Sequence, residues 1–393
     1  KGNMTLTPGA IPEDLGNVLR LMQVGSKRFL TNKVDRSVTG LVAQQQCVGP
    51  LHTPLADVAV LAHSHFPVDE NGPVTGTATA VGEQPIKGLI DPAAMARMSV
   101  GETLTNLIWA RCSAITDVKM SGNWMWAAKL PGEAASMWDA CEALRDVMLA
   151  LGVAIDGGKD SLSMAARAPA PAAAAEGKDG ATTETVKCPG ALVMSAYVTC
   201  PDVSLTVTPD FKLPTGEQGN KVNGGGKTGA ILFVDLAAGR ARVGGSAFAQ
   251  CKGELGAISP DLEDPETFVR AWDVMQGLIE EKVLSAGHDR SDGGLITAVL
   301  EMCFAGNCGA SMTLPAALFS EGISIEHVLF AEELGLVIEC GEDHADSVLA
   351  RFSDANVPCY RVGSSSVEQV CAIEGYMAAT SMPELRDLWE STS

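Results

Sequence analysis

Positive charge is scarce in this sequence. Its 393 residues carry 28 Lys and Arg against 48 Asp and Glu, a formal net charge of −20. That balance excludes a broad electrostatic grip on nucleic acid or anionic lipid. A small phosphate site is still allowed, because backbone amides and a bound metal supply local positive potential. No apolar run approaches the roughly 18 residues that a membrane-spanning helix needs. None of the 11 cysteines forms a Cys-x-x-Cys pair, which argues against a zinc knuckle or a thioredoxin-type site. Their odd number and irregular spacing read as free thiols in a reducing compartment. Lys1-Gly2-Asn3 offers neither an initiator Met nor a charged-then-apolar leader. The chain reads as a piece of something longer, without a visible export signal, and a cytoplasmic location is expected. A Gly-x-Ser-x-Gly elbow is missing, so nucleophilic hydrolysis lacks support. Gly224-Gly225-Gly226-Lys227-Thr228 resembles the end of a P-loop, but Lys221 stands where its first glycine belongs, and an apolar strand follows instead of a helix.

What the sequence does hold is apolar content, 46% against 19% charged residues. That is enough for sizeable cores, and the length argues for about two domains of roughly 100–200 residues. Apolar spacing predicts a helix over Pro12 to Gln23. A short strand and turn are expected over Arg28 to Gly40, a strand over Leu55 to Leu61, and a surface loop over His63 to Gly76. Asp91-Pro92 opens the clearest helix, running to about Cys112. A helix over Trp138 to Leu151 and a short strand over Val153 to Ile155 follow. Ala165 to Pro189 has no periodic apolar pattern and reads as a flexible insertion. After a buried strand over Ala191 to Cys200, the polar, Gly-rich run from Thr215 to Lys227 reads as the domain junction. The expected domains are therefore residues 1–214 and 215–393. In the second, strands are expected over Ala230 to Leu236, Leu284 to His288, Leu329 to Phe330 and Gly335 to Glu339. Helices are expected over Glu266 to Glu281 and Gly294 to Phe304, with a closing helix and its strand. Strands alternating with helices in both halves give the class α/β or α+β.

Several constellations carry chemistry. Glu102 and Asn106, in Gly101-Glu102-Thr103-Leu104-Thr105-Asn106, share one face of a helix that is apolar nearly all round. A buried carboxylate and amide need partners, either neighbouring backbone or a hard cation such as Mg²⁺. Asp57 sits in the apolar run Leu55 to Leu61 and poses the same choice, unless it ends an edge strand in solvent. Asp289 and Asp292, in His288-Asp289-Arg290-Ser291-Asp292-Gly293-Gly294, lie between a strand and a helix, a corner suited to metal and phosphate, with Asp292 expected to cap the helix. Asp156-Gly157-Gly158-Lys159-Asp160-Ser161 offers close backbone amides, a cation and a hydroxyl to an anion, or simply a tight β-turn. Thr116 to Trp124 reads only as a polar turn, Lys27 as a solvated lysine near a strand start, and His63-x-His65 as surface histidines.

Together these segments resemble the phosphoribosylformylglycinamidine synthases, the amidotransferases of purine synthesis. The resemblance rests on Asp35-Arg36-Ser37-Val38-Thr39-Gly40, Gly101 to Asn106, Gly157 to Met164, Gly244-Gly245-Ser246-Ala247 and His288 to Gly294, in the family's order. It implies a tandem synthetase core whose halves each have two domains like those of aminoimidazole ribonucleotide synthetase. This chain would be the second half, of the large eukaryote-like form. The first half and the glutaminase domain of the same polypeptide would be its partners. Two roles are implied. One is an auxiliary site for ADP with Mg²⁺, with Asp57, Glu102, Asn106 and Asp289 as metal ligands and Lys27, Ala56 and Ser291 as nucleotide contacts. The other completes the true active site, with Asp117, Gly158 and Lys159 reaching its ATP and metal and Ser161 its substrate. Smaller family members carry Asn where this chain has Lys159. The implied reaction is ATP-dependent phosphorylation of the amide oxygen of formylglycinamide ribonucleotide, then displacement of phosphate by glutamine-derived ammonia to give the amidine. A different class of role is a nucleotide-stabilised structural or interaction module without catalysis of its own. A stand-alone relative, such as a selenophosphate synthetase or thiamin-phosphate kinase, lacks its expected Gly-rich N-terminal segment here.

Overall fold

In the computed structural model the described residues are 11–169, 183–212 and 228–392. Two large β-sheets stand with helices between and outside them, and two small two-stranded sheets accompany them. The first has six strands in the spatial order Val42–Gln44, Ala59–Ala62, Gly76–Glu83, Ala191–Cys200, Lys119–Met125 and Ala154–Ser161. Its neighbours pair antiparallel except the last two, which are parallel. A parallel pair needs a crossover, and the helix Glu133–Leu151 supplies it. The second sheet has seven strands in the order Leu284–Asp289, Gly335–Gly341, Gly229–Asp235, Cys359–Ser366, Gly309–Met312, Val370–Ile373 and Met377–Ser381.

Burial follows the two-residue period of these strands. In the Gly229 strand, Leu232 and Val234 face a core shared with Phe268 and Trp272, while Ile231 and Phe233 face another with Leu295, Phe304 and Trp389. The first of these cores continues through Met95 and Leu104 of the helix Pro92–Leu107 to Ala78 and Met194 of the first sheet. The helices Pro92–Leu107 and Pro265–Glu280 thus lie between the sheets and hold them together, while the helix Gly294–Gly306 packs on the other face of the second sheet. The second core contains both ends of the described chain. Ile11, Leu15, Val18 and Leu19 of the helix Ile11–Arg20 are buried there with Leu385 and Trp389 of the helix Met382–Glu390. The first helix of the chain therefore packs on the second sheet. All eleven cysteines are free thiols, and among the described residues no helix is long and apolar enough to cross a membrane.

Several expectations are corrected. Arg28 to Gly40 holds a helical turn, Arg28–Thr31, and a 3-10 turn, Val38–Gly40, instead of a strand. The strand expected from Leu55 begins only at Ala59, so Asp57 lies in the loop before it. Thr116 to Trp124 is mostly the strand Lys119–Met125, not a turn. Leu329 and Phe330 end a helix, Ile325–Phe330, whose start is set by reciprocal hydrogen bonds between Ser324 and His327. The insertion read from Ala165 to Pro189 begins and ends in a two-stranded ladder, Ala165–Pro169 against Thr183–Lys187; its middle, 170–182, and the whole of the junction read at Thr215 to Lys227 lie outside the described residues.

One glycine joins the two halves closely. Gly49 adopts φ +68°, and a Cβ there would stand 1.8 Å from the carbonyl oxygen of Ala305. Gly49→Ala combines a left-handed backbone with a backbone clash, so it is expected to lower unfolding free energy by about 3 kcal/mol, measured by urea titration. A change below about 1 kcal/mol would show that this approach is not tight.

Candidate nucleotide and metal site

The helix Pro92–Leu107 starts as its sequence predicts. The Asp91 side chain accepts from the backbone nitrogens of Ala93 and Ala94 at 2.9 and 3.1 Å, and Pro92 fills the first helical position. Packed on the strand Gly76–Glu83, this helix brings Glu102 and Asn106 to the strand's backbone. Glu102 Oε2 accepts from Glu83 N at 2.7 Å and from Gln84 Nε2 at 2.9 Å. Asn106 Nδ2 donates to the Val81 carbonyl at 3.0 Å. Both therefore have the neighbouring partners that burial demands.

The strand Leu284–Asp289 carries His288 and Asp289 to its end. The chain then turns through Ser291 and Asp292 into the helix Gly294–Gly306 by two successive left-handed glycines, Gly293 (φ 87°) and Gly294 (φ 76°). Gly293, not Asp292, is the N-cap, and no side chain caps it in the expected way. Across from this corner lies the loop of Ala56 and Asp57, held by a bond from Ala56 N to the Gln46 carbonyl. Asp57 Oδ1 sits 2.7 Å from His288 Nδ1, and Asp57 Oδ2 accepts from Asp289 N at 3.2 Å. The His288 contact is short but off the N–H direction, which leaves Nδ1 buried without an aligned acceptor. His288 Nε2 lies 3.3 Å from Glu301 Oε2, and Thr105 Oγ1 reaches Asp289 Oδ2 at 3.5 Å.

The structure thus brings Asp57, His288 and Asp289 together, with one ligand atom of each within 4.8 Å of the others. The carboxylates of Asp57 and Asp289 fit a hard, oxygen-ligated cation such as Mg²⁺, whereas His288 could ligate an ion only after giving up the proton that its acidic neighbours favour. Glu102 stands outside that trio but within reach of its charge. Burial, then the charges of Asp292 and Asp289, hold its carboxyl well above the usual range. Burial and the Asp57 charge push Asp289 up to about 8, against the opposing pull of His288. Burial disfavours charge on His288, but Asp57, Glu301 and Asp289 outweigh it and keep the imidazole protonated well above its ordinary range. The Lys27 ammonium donates to the Gln23 carbonyl at 3.1 Å and to the Gly25 carbonyl; burial lowers its pKa while the charges of Glu301 and Asp292 raise it. Ser291 hydrogen-bonds Asp289.

Burial and the Glu332 charge push Asp292 up to about 7, against the pull of Lys87. Between about pH 4 and pH 7 the folded chain holds a proton on Asp292 that the unfolded chain has released, so stability falls as pH rises through that window. Asp292→Asn is expected to flatten the fall, measured as urea unfolding at about pH 4.5 and about pH 7.5 without divalent cation. An unchanged difference between the two pH values would contradict this setting.

Reading the sequence missed Lys87, Glu332, Glu301 and Trp389. Lys87 Nζ lies 2.8 Å from Glu332 Oε2, with side-chain exposures of 2% and 1%. Glu332 Oε1 accepts from Gly293 N at 2.8 Å and from Ala247 N at 2.7 Å. This one carboxylate therefore fixes the start of the Gly294 helix, the Gly244–Ala247 segment and the helical turn Pro85–Gly88. A lone charge in a largely apolar helix, Gly294–Gly306, was the available signal for Glu301.

The second predicted group lies elsewhere. Gly157 and Gly158 form no turn; they continue the exposed edge strand Ala154–Ser161. Its parallel register sets Gly158 opposite Gly122, Lys159 opposite Asn123 and Ser161 opposite Met125. The Lys159 ammonium bonds the Ser161 hydroxyl. Asp117 accepts from Ser113 Oγ at 2.7 Å and ends the 3-10 turn Ile115–Asp117, just before the strand Lys119–Met125. Gly158, Lys159 and Ser161 lie on the edge strand, whereas Asp117 lies just before the inner strand that pairs with it. His63 and His65 are exposed, His63 bonding Thr77 Oγ1 at 2.8 Å.

The human phosphoribosylformylglycinamidine synthase is 50% identical over 397 residues, 99% of this chain and 27% of that protein. The chain belongs to the phosphoribosylformylglycinamidine synthase family. It spans about a quarter of the length of the curated relatives it matches. Within the synthase family, residues 26–199 match the FGAR-AT PurM N-like domain and residues 230–374 match the AIR synthase related protein C-terminal domain. Two solved structures share the fold. Thermotoga maritima PurL complexed with FGAR superposes with a TM-score of 0.65 at 13% identity, covering 96% of this chain and 54% of that one. The same protein complexed with ATP gives 0.62 at 14%, covering 96% and 52%. The predicted two-domain α/β class is as observed.

Proposed function

We propose that this chain is the second half of the synthetase core of an ATP-dependent, glutamine-using amidotransferase, converting formylglycinamide ribonucleotide to its amidine in the cytosol. The observation that carries the proposal is the convergence of Asp57, His288 and Asp289 from two distant segments into one buried cluster, beside Glu102 and Lys27. There the chain would hold an auxiliary ADP with Mg²⁺. Asp57 and Asp289 would ligate the ion, Glu102 and Asn106 would join them on leaving their present partners, and Lys27, Ala56 and Ser291 would contact nucleotide. Bound Mg²⁺ supplies charge neutralisation to phosphate oxygens. The chain's own carboxylates set where that charge sits, and the Gly293–Gly294 corner orients the helix behind it. A PurL structure with ATP bound supports nucleotide as the ligand class.

The exposed edge strand serves the second role. Asp117, Gly158 and Lys159 would reach ATP, and Ser161 the substrate, in the active site completed by the first half. An edge whose backbone and polar side chains face outward is suited to another subunit or domain. The test is reconstitution. Mixed with the first half and the glutaminase portion, the chain should restore ATP-dependent amidine formation. Lys159→Ala should lower that turnover while Mg·ADP still raises the chain's melting temperature. Stabilisation by Mg·ADP with no turnover on mixing would instead make the chain a nucleotide-stabilised structural module.

A further inference from the structure

The helix Met382–Glu390 lies beyond residues 230–374, where the C-terminal domain match ends, yet it reaches the site from behind. Trp389 is 1% exposed. Its indole N–H donates both to the Val24 carbonyl at 2.9 Å and to Glu301 Oε1 at 3.1 Å. Its own carbonyl accepts from Ser26 N at 2.9 Å. Arg28 pairs with Glu390 at 2.8 Å, and Thr392 Oγ1 donates to the Arg20 carbonyl at 2.7 Å. The segment on both sides of Lys27 is therefore tied to the last turn of this helix. Glu301, in turn, stands alone as a charge in the helix Gly294–Gly306 and divides its two oxygens between Trp389 and His288. A buried carboxylate needs such partners. Phe304 seats the indole ring, with centroids 5.4 Å apart.

We propose that the C-terminal helix is a clasp that fixes the Lys27 loop relative to the Asp57–His288–Asp289 cluster, with Trp389 and Glu301 as positioning residues. Trp389 holds one wall of the site, Val24 to Arg28, and through Glu301 it holds His288 on the other wall. The indole N–H thereby links both walls, and the backbone and ion-pair ties of the same helix turn reinforce its hold on Val24 to Arg28. In its consequence for Mg·ADP the inference rests on the nucleotide reading above; the clasp itself is tested without nucleotide.

The variant Trp389→Phe keeps the ring against Phe304 and deletes only the donor. Amide hydrogen exchange and Mg·ADP titration are followed on the full chain. Exchange at Ser26 is expected to rise, and Mg·ADP affinity to fall, each by about tenfold, the size of one buried hydrogen bond. If exchange at Ser26 is unchanged, the clasp is overturned; if it rises while Mg·ADP affinity stays the same, the claim that the clasp positions the site for nucleotide is overturned. If the unaltered chain binds no Mg·ADP but Trp389→Phe still frees Ser26, the nucleotide reading fails and the clasp stands. Should Trp389→Phe not fold, Glu390→Ala removes only the partly exposed tie to Arg28. A two- to threefold rise in Ser26 exchange is then expected, roughly the size of a surface ion pair, and no rise overturns the proposal.

Discussion

Asp57→Ala is expected to abolish retention of Mg²⁺ and nucleotide, with an affinity loss of at least about 100-fold by isothermal titration. The reason is charge and place. Asp57 supplies one oxygen 2.7 Å from His288 Nδ1 and the other to Asp289 N. Its removal takes a ligand and also loosens the backbone that presents Asp289. Folding should survive, because Glu301 and Asp289 still neutralise His288. Glu102→Ala is expected to act in the same direction by removing a carboxylate from beside Asp289. Unchanged affinity in Asp57→Ala, with a normal melting temperature, would place the cation elsewhere.

Lys87→Met should have the largest effect on stability. Lys87 and Glu332 are both wholly buried, and breaking a buried ion pair from one side typically costs about 3–5 kcal/mol, because the other charge stays behind. Here Glu332 would keep the amides of Ala247 and Gly293 but lose the one cation that pairs with it among the described residues. Lys87→Met/Glu332→Gln keeps both amide bonds and removes both charges, and it should recover more than half of the loss. Urea unfolding of the two variants decides the matter. A loss below about 1 kcal/mol in Lys87→Met would show that Glu332 is satisfied without the ammonium.

Local signals were legible in the sequence. Asp91-Pro92 marked the start of its helix, because N-caps and proline act within one turn. Alternating and continuous apolar runs marked the strands Ala191–Cys200 and Gly229–Asp235. The failures came where tertiary contacts decide. Leu329 and Phe330 are apolar in a strand or a helix alike, and Ser324 with His327 settles it. Gly157-Gly158 carries turn chemistry but is held extended by pairing with Ser121 and Gly122. Asp57, Glu102 and Asn106 stood out as polar groups in apolar settings, but spacing left their role open, and only the family resemblance joined them with Asp289 as a ligand set. His288 was passed over although it belongs to the cluster, since a lone histidine beside an aspartate carries no pattern. Lys87 and Glu332 were invisible because their partnership spans 245 residues.

The most direct test of the central claim is to purify the chain without added nucleotide, denature it, and quantify the adenine nucleotide and Mg²⁺ released. One ADP with Mg²⁺ per chain, lost in Asp57→Ala, is the expected result. A folded chain that releases neither, and whose melting temperature does not rise with added Mg·ADP, would contradict the auxiliary site and leave Asp57, Glu102 and Asn106 as structural residues.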